Sequence, residues 1–323
     1  MGSDPVRVAL IGAGRMGRVH LAALLEAPEV ELAGVVEPVP AVREAVAARG
    51  APTFASAEEL IEAEPRLDGV LIAAPSTQHR ALVTRFAAAG IHILCEKPVG
   101  VRAADAEAAA AAAADAGVML QVGYWRRFVP ELRALRERIM AGELGTIAQL
   151  FCLQWDHEPP TEAFRAHSGG ICIDMGVHEF DQARWLLGQE FGWVCAAPAG
   201  PSSAPREADD PDNALVLAGM SDGTAVTVSL GRRFPHGDSC WLEVWGSEGY
   251  ERVPFMWDAE GDAVFRASMV RQISAFAAAI RGRALRGATG ADAVAALRAA
   301  ALAARSLAAG GRQVQCDEEV VGA

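Results

Sequence analysis

The sequence predicts an α/β protein in two parts: a doubly wound parallel sheet, then an α+β part with a large, open, mainly antiparallel sheet. Short apolar runs alternate with helical segments at the start of the chain, which is typical of buried parallel strands. Later the pattern changes to successive strands of period two joined by hairpin-type turns. A chain of 323 residues suits two domains, which we place at residues 1–122 and 123–323.

The first strand, Val6–Ile11, leads into a glycine-rich turn with the spacing G-x-G-x-x-G, and an amphipathic helix follows. The first glycine allows a tight turn, the second lets the backbone approach a pyrophosphate, and the third lets helix and strand pack closely. Phosphates are favoured at the helix N-terminus, where N–H groups are free. This context predicts a dinucleotide site of the Rossmann type, and the alternative is a glycine-rich turn in another α/β protein. The turn residues assigned to the cofactor are Gly12, Gly14, Arg15, Met16 and Gly17.

The second strand, Val30–Val36, ends at an acidic residue, Glu37. A carboxylate at this point accepts hydrogen bonds from the ribose hydroxyls of the adenosine half and repels the additional phosphate of NADP. Residues 38–40 carry no cation, and we interpret the nearby Arg43 as a solvated helix residue. The sequence therefore favours NAD over NADP.

Strands and helices continue to alternate up to residue 122. The loop Pro75–His79 follows a predicted strand at the edge where doubly wound sheets bind ligands. Its hydroxyl groups are expected to line the cofactor cleft, and His79 either contacts the cofactor or caps a helix. The loop residues assigned to the cofactor are Pro75, Ser76, Thr77 and His79. The predicted strands are Thr53–Phe54, Asp68–Ala74, Ile91–Cys95 and Val118–Val122, and the predicted helices are Ala57–Ala63 with Ser56 as N-cap, one ending at Ala89 and one ending at Ala116.

The second part begins at Gly123, where the rhythm of the sequence changes. Neither face of its predicted sheet is very polar, which suggests that the free face packs on another subunit. We predict a surface loop at Pro198–Pro211. The predicted helices are Pro130–Met140, most of Ala163–Gly188, Ser268–Arg281 and Asp292–Ala309, and the predicted strands are Ile147–Trp155, Ala214–Met220, Thr224–Leu230 and Cys240–Trp245.

Composition excludes several classes of function. The net charge is −12 without a basic block, which argues against nucleic acid and anionic membranes as partners. No apolar run is expected to span a bilayer, and the N-terminus reads as a strand and not as a signal peptide. The six cysteines form no C-x-x-C pair, so we expect buried free thiols in a reducing cytoplasm, and neither disulfides nor zinc.

The first chemical feature is Glu96-Lys97-Pro98, which follows a buried strand at the presumed cofactor edge. Most lysines are solvated surface groups. A lysine fixed between a buried strand and a proline is less ordinary, and its ammonium can stabilise a developing alkoxide. Proline at this position also permits a cis peptide bond.

The second feature is an acidic and histidine-bearing segment in which Asp174 and His178 are four residues apart and Asp181 lies three further on. On one helix these residues share a face. A carboxylate beside an imidazole orients the ring and raises its pKa, which suits a general base. A metal site or a purely structural His–Asp pair are the alternatives.

The third feature is Arg126-Arg127-Phe128, directly after the last strand of the first part. Two arginines near the cleft suit substrate oxygens or a cofactor phosphate, and a structural salt bridge is an equal alternative for Arg126.

Together these motifs resemble the Gfo/Idh/MocA oxidoreductase family, along nearly the whole chain. The resemblance covers the glycine turn, E-K-P, G-Y-W-R-R-F and G-G-I-C-I-D-M-G-V-H-E-F-D. It implies a Rossmann domain with NAD, an open-sheet domain that forms a homodimer or homotetramer, and Lys97, Asp174 and His178 as the catalytic group. The segment around His178 looks most like inositol dehydrogenases.

By that analogy the substrate hydroxyls would be contacted by Arg127, His157 and Asp181, and Glu96 and Lys97 would lie at the cofactor. Arg232, Arg233 and His236 lie where the family often places a further substrate group. The resemblance implies a cytoplasmic dehydrogenase that transfers a hydride from a secondary alcohol of an inositol or a pyranose-type sugar. The rival functions are an NAD-dependent glycosidase that oxidises transiently and a non-catalytic NAD-binding regulator.

Overall fold

The computed structural model describes residues 4–200 and 210–317, and these divide into two compact units. The first unit contains residues 4–100, 104–128 and 266–294. The second contains residues 101–103, 129–200, 210–265 and 295–317. The chain therefore returns to the first unit near its end, which the single predicted boundary after residue 122 did not include.

The first unit is built on a parallel sheet with the strand order β3-β2-β1-β4-β5-β6, which is the Rossmann order. Every residue of β4 is buried, because helices cover both faces of such a sheet. The predicted doubly wound sheet is confirmed. Its strands are β1 Val6–Ile11, β2 Val30–Val36, β3 Thr53–Phe54, β4 Gly69–Ile72, β5 His92–Cys95 and β6 Leu120–Val122, and its helices are α1 Arg15–Glu26, α2 Pro40–Ala47, α3 Ala57–Ala63, α4 Ser76–Ala88 and α5 Ala103–Asp115.

In this unit, the predicted bounds of helices and strands match the structure where a capping residue or an apolar run marks the element. The predicted bounds of β2, β3 and α3 match the structure, and Ser56 accepts the Glu59 N–H as the N-cap of α3. The predicted loop Pro75–His79 is wrong, because α4 begins at Ser76. Pro75 is the N-cap residue, and its preset φ allows a helix to start directly after it.

The second unit has a mixed, mainly antiparallel sheet with the order β12-β11-β7-β10-β9-β8, in which only β7 and β10 run parallel. The predicted sheet is confirmed, but the predicted hairpin between β10 and β11 is wrong. Residues 232–238 separate these strands, too many for a tight turn, and β7 lies between them. The elements are α6 Pro130–Met140, β7 Ile147–Trp155, α7 Glu162–Ser168, α8 Ile171–Asp174, α9 Gly176–Leu187, β8 Phe191–Pro198, β9 Asn213–Met220, β10 Ala225–Gly231, β11 Ser239–Gly246 and β12 Tyr250–Met256.

The segment predicted as largely helical, residues 163–188, consists of three separate helices. Gly169 and Gly170 have φ of 81° and 82°, which ends α7 because a helix requires negative φ. Met175 then separates α8 from α9. The predicted surface loop Pro198–Pro211 falls largely outside the described residues.

The chain ends with α10 Asp258–Ile280, β13 Ala288–Thr289, α11 Gly290–Ala308 and β14 Val314–Gln315. β13 adds an antiparallel edge beside β6, and β14 pairs with β8. Phe276 and Ile280 of α10 pack on Gly69 of β4, so closely that a Cβ at Gly69 would lie 2.9 Å from the Phe276 ring. These contacts explain why residues 266–294 belong to the first unit.

One helix among the described residues, Glu260–Ile280 within α10, is long and apolar enough by composition to cross a membrane. This helix differs from the expectation that no apolar run of the chain is long enough to span a bilayer. Met269, Ile273 and Phe276 of this helix are buried within the protein, and 33% of its apolar window is buried in all.

Candidate active site

The glycine turn brings β1 and α1 into close approach. Gly12 has φ of 95°, and a Cβ at Gly17 would lie 2.1 Å from the Gly12 carbonyl oxygen, so neither position accepts a side chain without displacement. A Cβ at Gly14 would meet only open space. The first turn of α1 has no capping side chain and no acidic residue. This is a cradle that suits an anion at a helix N-terminus, with Arg15 exposed and Met16 half-buried beside it.

Glu37 is held beside this turn by the backbone. Its Oε2 accepts the Ala13 N–H at 2.9 Å, and its Oε1 accepts the Val39 N–H at 2.9 Å. Each carboxylate oxygen has a further lone pair for a ligand hydroxyl. Arg43 donates to the carbonyl oxygens of Glu37 and Pro38, so its guanidinium is bound to the backbone.

His79, in the first turn of α4, is buried between two backbone carbonyl oxygens. Its Nδ1 lies 2.8 Å from Pro98 O and its Nε2 lies 2.8 Å from Ala74 O. Burial lowers the pKa of His79, and the two carbonyl oxygens oppose that shift. The histidine therefore ties the end of the β4 segment to the residues after Lys97. Of the other predicted residues here, Pro75 and Thr77 are exposed and Ser76 is half-buried.

Glu96 joins the lysine motif to α1. Its Oε1 lies 2.7 Å from His20 Nε2, and its Oε2 accepts the Lys97 N–H at 3.1 Å. Burial opposes ionisation of Glu96, but the hydrogen bond from His20 and the positive charge of Lys97 outweigh it, so the pKa of Glu96 lies below its ordinary value. The Lys97–Pro98 peptide is cis, as the sequence allowed. Lys97 itself is half-buried.

Arg126 and Arg127 lie in a 3₁₀ turn, Trp125–Phe128, and both are buried. The Arg127 guanidinium pairs with Asp292 at the start of α11, with Nη2 3.1 Å from Oδ1 and Nη1 3.4 Å from Oδ2. Burial raises the pKa of Asp292, but Arg127 and hydrogen bonds from Thr289 lower it below the ordinary value. Arg127 is thus committed to an ion pair within the first unit.

Asp174 and His178 lie in the second unit on two different helices. Asp174 ends α8 and His178 lies in the first turn of α9, and the one residue between the two helices, Met175, is itself in α-helical conformation. The His178 N–H donates to the Met175 carbonyl at 3.1 Å. Asp181 shares a face of α9 with His178, and both are buried. No group of three or more His, Cys, Asp or Glu side chains among the described residues is arranged to hold a metal.

The remaining candidates differ in exposure. Arg232 is fully buried, whereas Arg233 is exposed and pairs with Asp212. His236 is exposed beside Phe234, with ring centroids 5.3 Å apart. His157 is exposed on the segment after β7, and its backbone N–H donates to Asp238 at 2.7 Å.

Sequence reasoning missed two polar residues of these sites, His20 and Asp210. His20 lies on the buried face of α1, three residues after Gly17, and this spacing was the available signal. Asp210 accepts hydrogen bonds from Arg165, Ile171 and Arg232, and no local pattern indicated it.

Comparison with known proteins identifies two family domains. Residues 6–124 match the family described as oxidoreductase family, NAD-binding Rossmann fold, and residues 132–251 match the GFO/IDH/MocA C-terminal domain.

Individual relatives cover most of the chain. The rhizopine catabolism protein MocA of Rhizobium meliloti is 49% identical over 283 residues, which is 88% of this chain and 89% of that protein. Inositol 2-dehydrogenase of Rhizobium meliloti strain 1021 is 36% identical and covers 76% of this chain and 74% of its own length. The structure of a myo-inositol dehydrogenase from Corynebacterium glutamicum is 29% identical, with a TM-score of 0.87 over 98% of this chain and 100% of that chain.

Proposed function

The chain belongs to the Gfo/Idh/MocA oxidoreductase family and has its NAD-binding Rossmann fold, and from this premise we propose that it is a polyol dehydrogenase that oxidises one secondary alcohol of an inositol or a pyranose-type sugar. The observation that carries the proposal is Lys97, presented by the buried Glu96–His20 pair next to a complete dinucleotide turn in the same unit. The relatives named inositol dehydrogenases support this substrate class.

The described residues fit NAD. The open space at Gly14, the uncapped first turn of α1 and the fixed Glu37 carboxylate suit a pyrophosphate and a ribose. When bound, NAD accepts the hydride that leaves the carbinol carbon. We assign the diphosphate to the backbone of Gly14, Arg15 and Met16. The start of α4 at Pro75, Ser76 and Thr77, together with Glu96, completes the proposed cofactor contacts.

Three residues carry the proposed proton and charge chemistry. His178, which is buried, takes the hydroxyl proton. Asp174 orients the imidazole and stabilises its cation. Lys97 stabilises the alkoxide that develops as the proton leaves.

Substrate hydroxyls are assigned to Asp181, Arg127 and His157. Asp181 is supported by its position on the same face of α9 as His178. Arg127 forms an ion pair with Asp292. It would therefore donate hydrogen bonds to the substrate through guanidinium N–H groups that point away from that carboxylate. The assignment of His157 to a substrate hydroxyl is supported only by the exposure of its side chain.

The test is a panel of inositols, pyranoses and aminosugars incubated with NAD, followed by nicotinamide absorbance. NADH should accumulate with at least one inositol or pyranose, and Lys97→Met should lose at least as much kcat as a general base contributes, about 10²-fold or more. Release of a free sugar from a glycoside without NADH accumulation would support the transient-oxidation glycosidase instead. NAD binding without turnover on any member would support the regulator.

We also propose assembly through the open face of the second unit's sheet. Leu215, Leu217, Trp245 and Tyr250 are 47–48% exposed there, whereas Val216 on the opposite face is buried. These exposed apolar side chains share the face with the Glu243–Arg252 ion pair, and a group of large exposed apolar side chains is typical of an interaction surface. A homodimer or homotetramer would cover it.

A cytoplasmic location is part of the same proposal. None of the six cysteines is in a disulfide, and four of them are buried. Burial raises the pKa of Cys172 to about 12 and that of Cys316 to about 11, so these thiols are poorly reactive. Free thiols without disulfides are typical of a reducing compartment.

A further inference from the structure

Arg232 is an arginine buried completely between two carboxylates of the second unit. It follows β10, and its side chain is 0% exposed. Its Nη2 lies 3.0 Å from Asp210 Oδ1 and 3.9 Å from Asp174 Oδ2. A guanidinium withdrawn from water is tolerated when carboxylates and hydrogen bonds replace the solvent. Arg232 therefore hydrogen-bonds Asp210 and lies at ion-pair distance from Asp174, the residue assigned to orient His178, while its buried Nε and Nη1 have no hydrogen-bond partner among the described residues.

Asp210 connects the same cation to the start of the helix that carries Asp174. The Oδ1 atom that accepts from Arg232 also accepts the backbone N–H of Ile171 at 2.8 Å. Its Oδ2 accepts from Arg165 Nε at 2.8 Å. Asp210 thus accepts a hydrogen bond from the start of α8 at Ile171, while Arg232 lies within ion-pair distance of Asp174 at the end of the same helix.

This support matters because α8 is a single turn of four residues, which starts after a break in helical conformation and leads into α9 through Met175. Gly169 and Gly170, both at positive φ, precede it, and Met175 follows it. A helix this short is not stable through its own hydrogen bonds. The direction of the Asp174 carboxylate therefore depends on contacts from other elements.

We propose that Arg232 is a positioning residue that acts through Asp174. Its guanidinium holds the Asp174 carboxylate, and through Asp210 it also holds the helix on which Asp174 stands. Arg232 is fully buried, so the positioning role does not require the direct substrate contact that the sequence suggested for this segment. The inference rests on the proposed function, in which Asp174 orients the base.

The first test compares turnover of myo-inositol with NAD by three variants. Arg232→Met should lower kcat at least about tenfold while KM changes less than about threefold, because the substrate is not bound by this side chain. Arg232→Lys keeps the charge and should recover part of the loss. The matched control is Arg138→Met, which also removes an arginine between two carboxylates, Glu143 and Glu251, but at the surface of the same unit. The control should keep the kcat of the unmodified protein.

The second test is a double-variant cycle with Asp174→Asn. If Arg232 acts through Asp174, Arg232→Met should cost little further kcat in the Asp174→Asn background, because the residues work as one unit. Losses that multiply would overturn the inference. A rise in KM without a fall in kcat would also overturn it, since that result indicates direct substrate binding. A lysine variant no faster than the methionine variant would contradict a role through charge.

Crystal structures of the Arg232 variants test this inference independently of the proposed function. Crystal structures should show the Asp174 carboxylate displaced in Arg232→Met and retained in Arg232→Lys. An unmoved carboxylate in Arg232→Met would overturn the positioning role whatever the activity. Where Arg232→Met does not fold, Arg232→Lys and Asp210→Asn provide the same comparison. If the Asp174→Asn and His178→Ala variants keep full turnover, the proposed function fails. In that case a displaced Asp174 carboxylate in the crystal structure of Arg232→Met would still support the structural part of the inference.

Discussion

His178 is the residue on which the proposed proton transfer depends, and it is buried near the start of α9. His178→Ala should lower kcat by about 10²–10⁴-fold, the usual contribution of a general base, which is roughly 3–5 kcal/mol. NADH affinity should stay within about twofold, because the dinucleotide turn belongs to the other unit. Stopped-flow turnover and NADH fluorescence titration measure the two quantities.

The matched control is His167→Ala, since His167 is an exposed histidine of the same unit, in α7. It should leave kcat unchanged. Near-normal turnover of a folded, NADH-binding His178→Ala variant would assign His178 a structural role.

Glu37 determines the predicted preference between NAD and NADP. Both of its carboxylate oxygens accept backbone N–H groups, so the charge is held in place beside the glycine turn. The unmodified enzyme should have the higher kcat/KM with NAD, and Glu37→Ser should narrow the ratio at least about tenfold, because the repulsion of a ribose phosphate is removed. Equal use of NADP by the unmodified enzyme would contradict this prediction.

At the scale of secondary-structure elements, substitution of Gly14 and of Gly17 by alanine should change the stability of the protein to different extents. Gly17→Ala forces a Cβ against the Gly12 carbonyl and should destabilise the protein by about 1–3 kcal/mol, with weaker NADH binding. Gly14→Ala places its Cβ in open space, so thermal stability should be unchanged while NADH affinity falls. Differential scanning fluorimetry and NADH titration distinguish these results. Equal losses of stability would contradict the assignment.

The contact between α1 and the end of β5 depends on His20 and Glu96. His20→Leu should cost about 3 kcal/mol at pH 7, because it leaves the buried Glu96 carboxylate without its imidazole partner. The folded pKa of Glu96 is lowered, so this stabilisation is present at neutral pH and disappears as the pH falls through that pKa. The difference between the unmodified and variant proteins should therefore shrink as the pH falls from neutral towards that lowered pKa.

Urea unfolding at several pH values measures this difference. Adding Glu96→Gln to His20→Leu should recover part of the stability at pH 7, because the carboxylate charge is gone. A penalty that is independent of pH would show that His20 contributes through packing.

At the scale of the whole molecule, the open sheet face predicts the oligomeric state. Leu217→Glu together with Trp245→Glu should yield a smaller species in light scattering at micromolar concentration, because two charges cannot be buried at an apolar interface. Leu25→Glu is the matched control, since Leu25 is 69% exposed on α1 in the other unit. A stable monomer of the unmodified protein would contradict the prediction.

The sequence by itself determined those features whose physical cause is local. Apolar runs and capping residues predicted β2, β3, α3, α6 and β7 with the bounds observed, because strand burial and helix capping are visible within a few residues. The glycine turn, Glu37 and the lysine motif were visible for the same reason. The family resemblance was carried by these motifs.

Only the tertiary structure decided the features that depend on distant partners. The return of residues 266–294 to the first unit, the insertion of β7 between β10 and β11, and the pairs Glu96–His20 and Arg232–Asp210 join residues far apart in the chain. The end of α7 at Gly169 and Gly170, which divides the segment predicted as largely helical, also escaped the helical spacing. Spacing along a chain specifies geometry only while one element continues, and ion pairs between elements form only after the elements have packed.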